Sequence, residues 1–234
     1  MKRALAVALL LLAPAAANAN GSGSIAGVVK LAGSAPALVA LKVTKDNGVC
    51  GSTKPNEAVV VSKAGALANV VVSLRAAKPA SAPPPTPNAA IDQQGCQYRP
   101  HVQAVTVGTS LALVNSDAVL HNVHGHNGPV QVFNVAMPIR NQRLPTRLTR
   151  AGLVQLQCDA GHTWMSAWIY VFEHPYFAVT GGDGKFEIKD VPAGHYTVEY
   201  WHEPIDGRGA GVTTTADIDV KDGAPARADA VLKL

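Results

Sequence analysis

Apolar residues along this chain recur at every second position in short runs, not at the spacing of three to four that a helix needs. "SIAGVVKL", "AVVVS", "ANVVVSL", "VQAVTV", "SLALVN", "LVQLQC", "SAWIYVF", "GKFEIKDV", "HYTVEYW" and "ADIDV" each read as a short strand, with turn residues between them. No segment beyond the N-terminal leader keeps a sustained 3.6-residue apolar period. The pattern predicts an all-β fold, a sandwich or barrel. Between Lys78 and Asn88, "KPASAPPPTPN" is too rich in proline for a central strand and reads as an exposed loop or linker.

The one apolar run that is not strand-like opens the chain. In "MKRALAVALLLLAPAAANAN", Lys2 and Arg3 precede an apolar core from Ala4 to Ala13, and Ala17-Asn18-Ala19 supplies a small-residue cleavage site. This reads as a secretory signal peptide over residues 1–19. The core is short for a membrane anchor, and no later run predicts a membrane span. Export places the protein in the periplasm or outside the cell. The 234 residues suffice for one large or two small domains. Removing Lys2 and Arg3 takes the formal charge from +4 to +2. That balance points away from nucleic acid as a partner. Three cysteines, Cys50, Cys96 and Cys158, enter an oxidising compartment, so one is left over or bound to something.

"GGDGKFEIKDVPAGHYTVEYW" reads as a hairpin in outline, with Asp183-Gly184 as a tight turn. Phe186 and Ile188 alternate with Lys185, Glu187 and Lys189. Pro192-Ala193-Gly194 turns the chain, and Tyr196, Val198 and Tyr200 share one face of the next strand. The stretch resembles the carboxypeptidase-regulatory-like (transthyretin-like) β-sandwich. Thr180, Asp183, Gly184, Phe186, Ile188, Val191, Pro192, Gly194 and Tyr196 fit the recurring core of that family. "SIAGVVKLAG" resembles its opening strand. The resemblance implies a smaller sandwich made from residues 20–48 and 173–234, with residues 49–172 inserted.

The chemistry sits in the insertion. In "LVQLQCDAGHTWM", Val154, Leu156 and Cys158 share the more apolar face of a strand, and Leu153, Gln155 and Gln157 the other. Cys158 ends that strand just before a turn that carries Gly161, His162 and Met165. A shielded thiolate there suits a soft metal ligand better than a nucleophile. "LALVNSDAVLHNVHGHN" offers His121, His124 and His126. In an extended run His121 and His124 face opposite ways and cannot both reach one metal.

"VTVGTSLALVNSDAVLHNV" followed by Cys158, His162 and Met165 resembles the cupredoxins of the plastocyanin and amicyanin type, over roughly Leu67 to Phe172. The resemblance implies a Greek-key barrel or sandwich holding one copper ion. His121 is its first imidazole ligand, Cys158 the thiolate, His162 the second imidazole and Met165 the axial thioether. Asn115 and Asp117 become turn residues beside the site. One departure is the loop spacing, C-x3-H-x2-M instead of C-x2-H. That spacing is closer to half of the dinuclear copper loop in cytochrome oxidase subunit II, but Val154 stands where that loop has its second cysteine. One copper is expected, not two. Cys50 and Cys96 are the expected disulfide partners, a pairing that leaves Cys158 as the free thiol a copper ligand requires.

His101, His124, His126 and Met137 could together form a second site, or be hydrogen-bonded structural residues. For His174 and His202, at the ends of apolar runs, packing is the expected role. The resemblance implies a periplasmic single-electron carrier with a redox partner protein. It makes His162 the exit for the electron, with Trp164 and Met137 or Pro138 as a docking patch. The alternative is a non-redox envelope binding or scaffolding protein that stores or carries copper. No catalytic motif stands out, and a complete Cys-His-His-Met set leaves no position for a substrate, so no enzymatic activity is expected. Zinc competes for such ligands; the methionine and the "HNV" context favour copper.

Overall fold

A computed structural model describes residues 21–79 and 81–234; the expected signal peptide lies outside them. Apart from one short helix, Asn47–Cys50, the described chain is strands and connections. The strands form four main sheets, and none closes into a barrel among the described residues. The all-β expectation therefore holds as stacked open sheets.

The terminal sandwich joins the two ends of the described chain. Ser22–Leu31 is the centre of one sheet, antiparallel to Lys185–Pro192 and parallel to Pro225–Arg227 and Ala230–Leu232. The facing sheet runs Phe177–Val179, Val71–Leu74, Gly194–His202, Val212–Val220. Ile25, Val29, Phe186 and Ile188 meet Val72, Leu74, Val198 and Tyr200 in the core between them. Lys185–Pro192 and Gly194–His202 are thus in different sheets, and the expected hairpin is an arch. Both strands carry alternating apolar residues for one core. Crossing at Pro192-Ala193-Gly194 lets them face each other, while Ser22–Leu31 takes the hydrogen bonds.

Residues 67–74 also differ from expectation. Val71–Leu74 pairs with Gly194–His202 and Phe177–Val179, so it belongs to the terminal sandwich and not to the insertion. "AVVVS" makes only an isolated bridge, Val61 to Leu67. The chain leaves the terminal sandwich at Leu74 and returns at Tyr176, and the Leu74 amide donates to the Tyr176 carbonyl at 3.1 Å.

The inner sandwich pairs a five-stranded sheet with a four-stranded one. The first runs Val130–Met137, His121–Asn127, Gly152–Gln157, Ser166–Phe172, Val102–Thr106, the last pair parallel. The second runs Gln142–Arg147, Ser110–Asn115, Ala90–Gln93, Tyr98–Arg99. Ile91, Leu111, Leu113, Val123, Leu156 and Ile169 pack between them. The five-stranded sheet buries its other face as well. Trp168 and Phe172 pack against Val71 and Trp201 of the terminal sandwich. This explains why "SAWIYVF" and "VVSL" carry apolar residues on both faces instead of alternating: each is a strand covered on both sides.

An excursion before Val71 completes the inner sandwich. Leu41–Lys42 pairs with Thr53–Lys54, and between them Val43 and Cys50 enter the inner core. The expected boundary at 48/49 falls inside this segment. A disulfide joins Cys50 to Cys96, with the two Cα atoms 5.4 Å apart, and leaves Cys158 free and buried. No helix among the described residues is long and apolar enough to cross a membrane.

Candidate metal centre

His121 opens its strand, in register with Met137, and Cys158 follows the end of the neighbouring strand Gly152–Gln157. Strand alternation sends Val154, Leu156 and Cys158 into the core. His121 and Val123 point the same way, and His124 turns to the opposite face. At Gly161 the chain takes φ +93°, which lets it double back so that His162 returns over Cys158. The Met165 amide donates to the His162 carbonyl at 2.9 Å, which closes the loop and buries Met165 in the core that holds Cys158.

Three donor atoms from these elements converge. His121 Nδ1 lies 2.9 Å from His162 Nδ1, and Cys158 Sγ lies 3.6 Å from His162 Nδ1. All three side chains are buried, and the donor atoms fit within 4.8 Å of one another. Each imidazole presents Nδ1 inward because a carboxylate holds its other nitrogen. His121 Nε2 donates to Asp117 at 2.9 Å, and His162 Nε2 donates to Asp46 at 2.8 Å. Asp117 is fixed in turn by the amides of Gly95 and Cys96, and Asn115 braces the turn through the Asp117 amide and the Met137 carbonyl. The Asn122 amide donates to Cys158 Sγ at 3.3 Å. Two imidazoles and a buried thiol in one cluster are the donor chemistry of a soft or borderline metal ion, and Met165 is buried in the same core. The second close trio, Cys96, Asp117 and His121, is not a further site. Cys96 sulfur is spent in the disulfide, and Asp117 serves His121 from behind.

The charges agree with this arrangement. Burial works against a charge on His121, but its hydrogen bond to Asp117 and the neighbouring Cys158 outweigh it and raise its pKa. For His162 burial prevails, helped by His121 and Lys45, and its pKa falls despite Asp46. Asp117 is lowered: the His121 hydrogen bond and two backbone amides overcome its burial.

The docking patch expected around His162 is not there. His162 is fully buried, because the segment from Val43 to Gly51 lies over it. Asp46 covers its ring edge, and Lys45 Nζ donates to the Ala160 carbonyl at 2.6 Å. Trp164 is buried with its indole on the Cys96 carbonyl, and Met137 is buried with its sulfur accepting from Gln93. Pro138 is exposed, beside the exposed Ile139. Asp46 was not legible as a site residue; it lies in a loop with no motif, and only the fold brings it to His162.

The other histidines do not gather around Met137. His101 uses both nitrogens, Nε2 on Glu203 and Nδ1 on the Ser166 carbonyl. His174 accepts the Tyr176 amide and packs on Phe172, and His202 donates to the Glu203 carbonyl. His124 and His126 lie on the outer face of the five-stranded sheet, remote in direction from the core-bound Met137. The four residues His101, His124, His126 and Met137 therefore form no common site.

No protein-family model and no curated protein sequence matches the chain. Solved structures are similar to part of it. A purple cupredoxin from Nitrosopumilus maritimus is 22% identical over 36% of this chain and 100% of its own, with a TM-score of 0.33. The copper-containing nitrite reductase of Thermus scotoductus is 24% identical over 42% of this chain, with a TM-score of 0.34; the match spans 25% of that enzyme. An amicyanin variant in its Cu(I) form is 22% identical over 36% of this chain and 80% of its own, with a TM-score of 0.31.

Proposed function

We propose that this chain is an exported protein that holds one copper ion between His121, Cys158, His162 and Met165 and passes single electrons to a redox partner protein. The observation that carries the reading is the convergence of one thiol and two inward-facing imidazole nitrogens, each imidazole anchored from behind by a carboxylate. A copper ion held there supplies a one-electron Cu(I)/Cu(II) couple. The chain's own part is to bind, to orient and to exclude water. Asp117 and Asp46 fix ring orientation and tautomer, so the donors keep their places whatever the charge between them. The Asn122 amide withdraws electron density from the thiolate. Export is supported by the N-terminal pattern and by a disulfide that an oxidising compartment preserves. No catalysis is assigned to the centre.

The test is the absorption spectrum of the copper-loaded protein. An intense thiolate-to-copper band that disappears in Cys158→Ser supports the reading; loading without any such band overturns it. A second reading, copper holding without electron transfer, is favoured by the cover over His162. Voltammetry separates the two: a carrier gives a reversible one-electron wave, a store does not.

A further inference from the structure

On the outer face of the five-stranded sheet, His124 and His126 stand two residues apart on one strand, so both side chains project the same way. Their rings are 3.7 Å apart between centroids. Both Nε2 atoms are shielded from solvent, and neither has a hydrogen-bond partner. Two unpartnered imidazole nitrogens on one patch are costly unless something joins them. His124 Nδ1 donates to Asp159 at 2.6 Å, which fixes the tautomer and leaves the Nε2 lone pair free to bind. Asp159 is itself held by the Gln157 side chain and by the Asn122 carboxamide. Across the ladder His124 faces Asn134 and Gln157, and His126 faces Gln131 and Gln155. These are neutral amides, so no lysine or arginine in register repels a cation.

We propose that His124 and His126 form a second metal site, separate from the buried centre, that binds a divalent transition cation of the copper or zinc type through both Nε2 atoms. Asp159 is its positioning residue. The site does not depend on the copper reading of the buried centre, since it shares no ligand with it. Its residues are a strand apart from Cys158, in register with Gln157. A cation here is carried on the surface while the buried set is independently filled or empty.

Zinc is the probe, titrated into the mature chain against a chromophoric chelator. Wild type is expected to bind two equivalents. The double variant His124→Gln/His126→Gln is expected to bind one, as is Cys158→Ser, each losing a different one. Asp159→Ala keeps both imidazoles and is expected to weaken the surface equivalent about tenfold or more. Thermal unfolding checks that each variant is folded. Two equivalents in the folded double variant overturn the proposal and leave an ordered water as the occupant. So does a wild type whose single equivalent is lost in Cys158→Ser. A wild type with one equivalent that only the double variant loses supports the surface site and counts instead against the buried one.

Discussion

Asp46 and Asp117 settle how the two buried imidazoles face. A histidine ring has two nitrogens, and a carboxylate on one leaves the other to point inward as a donor. Neither aspartate belongs to the donor set, yet both set its geometry. Asp46→Ala and Asp117→Ala should each lower copper affinity by about 10- to 100-fold, measured by competition with a chelator. Asp117→Ala should also loosen the turn at Gly95 and Cys96, whose amides it accepts. Gly184 sets a different kind of constraint. It takes φ +70°, and a methyl group there meets the Val29 carbonyl oxygen at 2.5 Å. Gly184→Ala should cost about 1–3 kcal/mol by denaturant unfolding and leave the metal centre unchanged.

Among the elements, the segment Val43–Gly51 has the largest effect for its size. It is too short to hold itself in place. Val43 packs in the inner core, Asn47 bridges the carbonyls of Val43 and Gly51, and the disulfide ties Cys50 to Cys96. The disulfide closes a loop of 46 residues, which stabilises the fold by about 4 kcal/mol in the chain-entropy model. The paired variant Cys50→Ala/Cys96→Ala should lose stability of that order. It should also free Asp46 from His162, with faster loss of copper to a chelator. How much of this was legible follows from locality. The turn from Cys158 to Met165 carries three candidate ligands in eight residues, and strand alternation alone separates His121 from His124. Gln142–Arg147 gave no strand signal. It carries Pro145, exposed charges and a partner on one side only, as an edge strand allows. "AVVVS" gave a false one, because Val59 and Val61 pack on the terminal core from a loop. The arch at Pro192-Ala193-Gly194 was missed because a hairpin and an arch share one alternation; only the third strand, far off in sequence, decides between them.

At the scale of the whole molecule, the two sandwiches are held together by more than Trp168, Phe172 and Trp201. His101 of the inner sandwich and Glu203 of the terminal one form an ion pair whose side chains are 7% and 3% exposed. Trp168 donates to the second Glu203 oxygen at 2.8 Å. Burial alone would lower the His101 pKa, but Glu203 raises it above the usual histidine value. A raised folded pKa means that protonation stabilises the fold. This contribution is complete below the unfolded value of about 6.5 and is lost as pH rises through the folded one. This pair should therefore make unfolding free energy decline with rising pH in that window, and His101→Gln should remove that part of the pH dependence. Leaving Glu203 buried without its partner should also cost about 3 kcal/mol.

The hydrogen bond between Leu74 and Tyr176 has a consequence for the order in which the molecule is made. Every strand that pairs with Ser22–Leu31 lies beyond Lys185, and the Val28 amide finds its Asp229 acceptor 201 residues later. During synthesis the first strand waits for its ladder partners, met only at its end by residues 65–67, while the chain between residues 74 and 176 is already long enough to close on itself. The inner sandwich can thus form before the terminal one that frames it, with the Leu74–Tyr176 bond joining the ends of residues 74–176 and the Cys50–Cys96 disulfide tying in the earlier segment. Moving residues 74–176 into another sandwich would require moving residues 41–54 with them, because these bring Asp46 and the Cys50 disulfide.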